Sequence, residues 1–287
     1  MTNDRFHRQE LLFGRVGQER LQSCTVALVG LGGLGSHVAQ QLAYLGVRSF
    51  RLVDRDIVDR SNLNRLVGAS ESDLNRCKVD VASDMIKRIM NDADVLPIRD
   101  SFVSDDGFSA LKTANVVFGC MDRDASRLVL NEFCQAYERP YFDLATDIDP
   151  SAPTFGGRVL FADGRVCVIC KAILDQEAIR LAFSSETKLE EDRLIYGIDR
   201  FALDDVGPAV VSLNGILASV AVTEFVAHIT RLRDANLYLE YRGMQGVLVR
   251  DNNVPAAGCY YCKMIRGLAD DADLGRYIRD GLNTRLS

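Results

Sequence analysis

The sequence has no run of basic residues. Its Lys and Arg are scattered through 287 residues that carry a net charge of −6, which argues against nucleic acid as the principal ligand. The N-terminus, MTNDRFHRQELLFG, has no apolar h-region, so no signal peptide is expected and the default location is the cytoplasm. An uninterrupted apolar run of membrane length is missing too. The most apolar long stretch, residues 206–229, is broken by Ser212, Asn214, Ser219, Thr223 and Glu224, which are costly in lipid. A buried helix is expected there, and no membrane partner. The three histidines, His7, His37 and His228, make no catalytic triad; His37 and Ser36 share a helical segment on which adjacent residues face apart. Internal repeats and low-complexity segments are absent.

What is present is a 47% apolar chain, enough for one large α/β domain or two small ones. Residues 26–54, VALVGLGGLGSHVAQQLAYLGVRSFRLVD, read as a βαβ unit. A polar stretch over 56–75 precedes a helical pattern over 77–90, with Val79, Val81, Met85, Ile86 and Ile89 on one face. A short strand is expected near 95–98, a helix over 105–113, a buried parallel strand in NVVFGC (115–120), a helix over 126–137 and a strand in PYFDLA from Pro140. This alternation predicts an α/β, doubly wound, mostly parallel Rossmann-like sheet through about residue 145. Ligands then belong at the carboxyl ends of the strands, where Gly32, Asp54, Asp122 and Asp143 fall. Beyond Pro153 the pattern changes. GGRVLFADGRVCVI predicts a hairpin turning at Asp163-Gly164. After it are expected a short helix over 178–183, a long polar loop over 184–205, a core helix from Gly207-Pro208, a second hairpin in LYLEYRGMQGVLVR and a partly exposed helix beyond Lys263. The expected organisation is a nucleotide-binding half over 1–150 and a second half of the same domain over 151–287.

Eight cysteines in an unexported chain are not read as disulfides, because the cytosol keeps thiols reduced. Two C-x-x-C pairs stand out: Cys167 and Cys170 in CVIC, Cys259 and Cys262 in CYYC. Four thiolates suit a closed, tetrahedral, structural zinc site that would staple the first hairpin to the C-terminal segment. The gap between the pairs is wider than in compact zinc ribbons, and the alternative is unrelated buried or redox cysteines.

Gly30, Gly32, Gly33 and Gly35 form a loop whose backbone N–H groups can approach a phosphate at a helix N-terminus, and Asp54 stands where an acidic residue holds a ribose. That much fits an NAD dehydrogenase. The stretch after it, DRDIVDRSNLNRLVGASESDLNRCKVD, does not. Asn62, Asn64, Arg65 and Lys78 supply amides, a planar fork and a point charge for a triphosphate, as phosphoryl or nucleotidyl transfer requires. Asp122, after VVFGC, is a candidate magnesium ligand or, alternatively, a helix cap shared with Asp124.

These residues, together with RFHRQELLFGRVGQERL (5–21), DRSNLNR (59–65) and the two C-x-x-C pairs, resemble the ThiF/MoeB/HesA family, the adenylation module shared with ubiquitin-activating enzymes. The resemblance runs from residue 5 to about 263. It implies binding of ATP and magnesium, and adenylation of the C-terminal glycine carboxylate of a ubiquitin-like or sulfur-carrier protein with release of pyrophosphate. It also implies that Asp54 takes the ribose, Arg65 and Lys78 the phosphates and Asp122 the magnesium. Arg8 matches an arginine that reaches the ATP of a second subunit, so a homodimer is expected, with the helix near Gly207 packed in it. The acyl-adenylate would pass to a sulfurtransferase or to a cysteine on a conjugating-enzyme partner.

Two departures stand out. Leu66 occupies the place of a usual glutamine. No cysteine lies between Cys170 and Gly207, where thioester-forming members carry one. Of the remaining thiols, Cys24 and Cys134 read as core, whereas Cys77 and Cys120 adjoin the expected nucleotide. Thioester formation, activation of a small-molecule or tRNA-bound carboxylate, and a non-catalytic scaffold are the alternatives.

Overall fold

The computed structural model describes residues 4–282 except 150, 153, 185–207 and 255–257. Strands β1 (Thr25–Val29), β2 (Ser49–Val53), β3 (Asp94–Ile98), β4 (Val116–Gly119) and β5 (Tyr141–Asp149) form a parallel array. β6 (Thr154–Ala162), β7 (Tyr238–Arg242) and β8 (Val247–Arg250) continue the same sheet antiparallel, in the order β3-β2-β1-β4-β5-β6-β7-β8. The central strands β1 and β4 are almost wholly buried, which is why TVALV and VVFG show no alternation.

The described α-helices are α1 (His7–Ser23), α2 (Gly33–Leu45), α3 (Lys78–Ile89), α4 (Asp105–Lys112), α5 (Asp124–Ala136), α6 (Gln176–Phe183), α7 (Val211–Thr230) and the one-turn α8 (Arg276–Arg279). The first crossovers run β1-α2-β2-α3-β3, and the chain then returns through α4 to β4 on the other side of β1. That reversal opens a crevice between the carboxyl ends of β1 and β4. On the opposite flank Phe108 of α4 stacks on Phe133 of α5, centroids 5.5 Å apart.

α7 has the length and apolarity to cross a membrane, but it packs against α1, α2, β5 and β6. Leu213, Leu217, Ala221 and Phe225 are buried there. Glu224, one of its polar interruptions, accepts both Arg233 guanidinium N–H groups at 2.7 Å and the Asn236 backbone N–H at 2.8 Å. Pairing of this kind explains how a carboxylate fits a core helix.

Several expectations need correction. No hairpin turns at Asp163-Gly164: β6 ends at Ala162, and Val166, Cys167 and Val168 are buried in a loop. β6 instead pairs along its whole length with β5, and among the described residues the chain turns between them at Ser151 and Ala152. β5 runs four residues beyond Ala145, to Asp149. Asp143 therefore lies within β5, at the last rung it shares with β4. α7 starts at Val211, after an extended Val210. The tail after Lys263 forms short turns laid over α5, where the Tyr277 hydroxyl donates to Glu132 at 2.6 Å. Nearly all of the expected polar loop, 185–205, lies outside the described residues. The second hairpin forms as β7 and β8.

Candidate functional site

A cleft of about 640 Å³ opens at the crevice between β1 and β4. Its walls carry Gly30, Gly32, Gly33, Asp54, Arg65, Lys78 and Asp122. Residues spread over nearly a hundred positions thus converge on one concavity, which is what the glycine loop and the polar stretch predict together.

The floor depends on close backbone approach. A Cβ on Gly35 would lie 1.9 Å from the Gly30 carbonyl oxygen, and Gly30, at φ +88°, sits against the Cys120 carbonyl. Gly32 caps α2 and faces open space, so the first turn of α2 points into the cleft. The partial positive charge of that turn favours an anion.

Asp54, half-buried at the end of β2, accepts the Leu31 N–H at 2.6 Å and the Asp56 N–H at 2.8 Å. Burial raises its pKa, against the opposing pull of the Lys78 ammonium and those two N–H groups. Each carboxylate oxygen keeps a second lone pair for a hydroxyl donor. Lys78, the first residue of α3, has a largely buried side chain whose Nζ donates to Asp56 at 2.7 Å. Arg65 donates from Nη1 to the Ser61 carbonyl at 2.7 Å and to Asn64 Oδ1 at 3.1 Å. Asp122 is exposed after β4. It does not cap α5, whose first residue is Asp124, so the cap alternative fails there.

The structure does not bring every expected residue to the cleft. Asn62 accepts the Asp59 N–H at 3.2 Å in a reciprocal capping box, and Asn64 braces Arg65; neither lines the wall. Leu66, the departure from the usual glutamine, packs with Val58 and Val81 in a small apolar cluster. Arg8 is exposed on the first turn of α1 and is not part of this cleft. Cys120 lines the wall, but burial pushes its thiol well above the ordinary range. Cys24 is pushed up to about 12 and Cys134 is also raised well above the ordinary range, both by burial. None of the three is poised as a thiolate.

Three further wall residues carry little signal in the sequence. Arg127, 2% exposed, lies between Asp143 and Asp124 and donates from Nε to Asp143 Oδ1 at 3.0 Å. Its signal was Asp124 one helical turn before it. Arg158, on β6, donates to the Ile173 carbonyl at 2.8 Å and lines both the cleft and a second groove of about 250 Å³ over β6 and β7. Asn214 approaches from α7.

The four C-x-x-C sulfurs gather within 4.8 Å of one another, and Cys167 Sγ lies 3.6 Å from Cys259 Sγ. Tetrahedral zinc with Zn–S bonds near 2.3 Å sets sulfurs about 3.8 Å apart, so the spacing fits. The Cys167 N–H donates to Cys170 Sγ at 3.1 Å, and hydrogen bonds from Cys167 and Cys262 pull the Cys170 thiol well below the ordinary range. Such a cluster favours a thiolate before any cation arrives.

Comparison with known proteins agrees with this geometry. The ThiF family profile matches residues 6–260. The sulfur carrier protein ThiS adenylyltransferase of Escherichia coli K12 is 32% identical over 158 residues, covering 54% of this chain and 61% of that protein. The molybdopterin-synthase adenylyltransferase of the same strain is 33% identical over 172 residues, covering 58% and 66%. Mouse adenylyltransferase and sulfurtransferase MOCS3 is 33% identical over 170 residues, 58% of this chain but 36% of its own length. The chain thus spans about a third of the MOCS3 proteins it matches. Among solved structures, E. coli MccB with ATP superposes with a TM-score of 0.70 at 19% identity, covering 91% of this chain and 75% of that one, a likeness of fold. With the profile covering most of its length and the cleft in place, the chain belongs to the ThiF family.

Proposed function

We propose that the protein adenylates the C-terminal glycine carboxylate of a ubiquitin-like or sulfur-carrier protein, using ATP and releasing pyrophosphate. The observation that carries this reading is the convergence of the α2 N-terminus, Arg65, Lys78 and Asp122 on one cleft. A second groove continues from it through the shared Asp147 and Arg158. One concavity suits a triphosphate and the other an extended peptide tail. The two E. coli relatives named for sulfur-carrier and molybdopterin-synthase activation support the substrate class.

In this reading a carboxylate oxygen attacks the α-phosphorus in line, and the bond from that phosphorus to the bridging oxygen of pyrophosphate breaks. The attacking group is already ionised, so no general base is required; catalysis rests on positioning and charge neutralisation. Asp54 holds the ribose, the glycine loop and Arg65 hold phosphates, and Lys78 leaves Asp56 to meet the charge that develops on the leaving group. Asp122 would hold magnesium, which spreads the phosphate charge when bound. Cys167, Cys170, Cys259 and Cys262 would hold zinc, and four protein ligands leave it no open position for catalysis. A second copy of the chain would supply Arg8. The exposed Leu11, Leu12 and Val16 on α1 support such an interface.

Carrier-dependent exchange of labelled pyrophosphate into ATP tests the reading. Exchange is expected with a carrier ending in glycine, and Lys78→Ala should reduce it by at least ~100-fold, about 3 kcal/mol of transition-state stabilisation. Full exchange by Lys78→Ala would overturn its role, and exchange without any carrier would point to a small carboxylate.

A further inference from the structure

Asn214 stands in the first turn of α7 and is 2% exposed. Its Nδ2 has no hydrogen-bond partner. Buried donors are normally satisfied. Another buried polar residue of the same helix is: the Thr230 hydroxyl donates to the Val226 carbonyl at 2.7 Å. Asn214 instead reaches across to α2. A Cβ built on Gly33 would lie 2.1 Å from Asn214 Nδ2 and 3.4 Å from Arg65 Cδ. The carboxamide and the arginine therefore flank the first residue of α2, and only glycine leaves room for the amide. All three residues line the cleft.

The N-terminus of α2 is an anion site by its dipole and its first-turn N–H groups. An unpartnered buried donor aimed at that turn has the chemistry to complete it. We propose that Asn214 donates from Nδ2 to the phosphate group seated between the α2 N-terminus and Arg65, so that the bound nucleotide supplies the acceptor the protein lacks. The inference rests on the ATP reading above and adds to it a neutral, directional contact from α7. Arg65 and Lys78 bring charge; the amide fixes which oxygen faces which way.

The test is Asn214→Leu, nearly the same size without the donor, with Asn214→Asp, which places an anion there. Equilibrium binding of ATP and of adenosine is measured, along with the melting temperature of the ligand-free protein. ATP affinity is expected to fall about tenfold in Asn214→Leu and further in Asn214→Asp. Adenosine, which has no phosphate, should bind both as it binds the parent. Ligand-free Asn214→Leu should melt no lower than the parent, because the unsatisfied donor is gone. Unchanged ATP affinity in Asn214→Leu overturns the proposal. So does a parallel loss of ATP and adenosine binding with a lowered melting temperature, which would mark a packing role. A parent protein that binds no ATP at all overturns the nucleotide reading itself, an outcome distinct from both.

Discussion

Arg127 carries its charge beneath the cleft floor with 2% exposure, held by Asp143, which has none. Burial alone would lower the guanidinium pKa; Asp143 more than reverses this, so the group stays charged. The Tyr141 hydroxyl completes the network at 2.7 Å from Asp143 Oδ1, and burial together with that carboxylate drives its own pKa far up. Removing one partner strands the other. Asp143→Ala is expected to lose ~3–5 kcal/mol in urea denaturation, whereas replacing Arg127 and Asp143 together by apolar residues of similar volume should recover most of it. A loss below ~1 kcal/mol in the single variant would show that the pair does not depend on mutual charge compensation. Gly30, Asp54 and Asp122 were legible in the sequence because each follows a strand end, and Lys78 because it opens a helical pattern. Arg127, Arg158 and Asn214 were not, because their places at the wall are set by helix and strand packing between distant segments.

The two C-x-x-C pairs come from segments about ninety residues apart, a buried loop after β6 and a short helical turn over Tyr261–Ile265. Their spacing was readable; the loop between Ala162 and Cys170 was not. Asp163-Gly164 does form a turn, with Gly164 at φ +95°, but Val166, Cys167 and Val168 then enter the core and the cysteine cluster instead of pairing back on β6. Tertiary demand outweighs the hairpin signal there. Beyond the cluster the chain lies over α5, with Arg276 and Tyr277 on Glu132 and Lys112 on Asp270. We expect one zinc per chain by elemental analysis. Cys259→Ser, or a strong chelator, should make the segment after residue 259 the first site of tryptic cleavage, at Lys263 and Arg266. Zinc-free protein with an equally resistant tail would refute the staple.

At the scale of the whole molecule, the cleft holds every expected nucleotide ligand except Gly35, which packs on the Gly30 carbonyl, the two asparagines, which serve the loop, and Arg8, which lies on another surface. If Arg8 acts on the site of a second copy, two inactive variants must rescue one another. Mixing Arg8→Ala with Lys78→Ala under conditions of subunit exchange should restore about a quarter of parental exchange activity, since half the dimers are mixed and each has one intact site. No rescue, with mixed dimers demonstrated, would place Arg8 outside the chemistry.

β5 belongs to two arrays at once: its first residues close the parallel ladder with β4, and all nine pair with β6. A chain severed between β5 and β6 would leave each fragment with an open strand edge complementary to the other, so the pieces would re-zip or aggregate before either stood alone. The cleft and the groove beside it are in that sense a single heritable part, and neither can be exchanged between proteins without carrying its neighbour along.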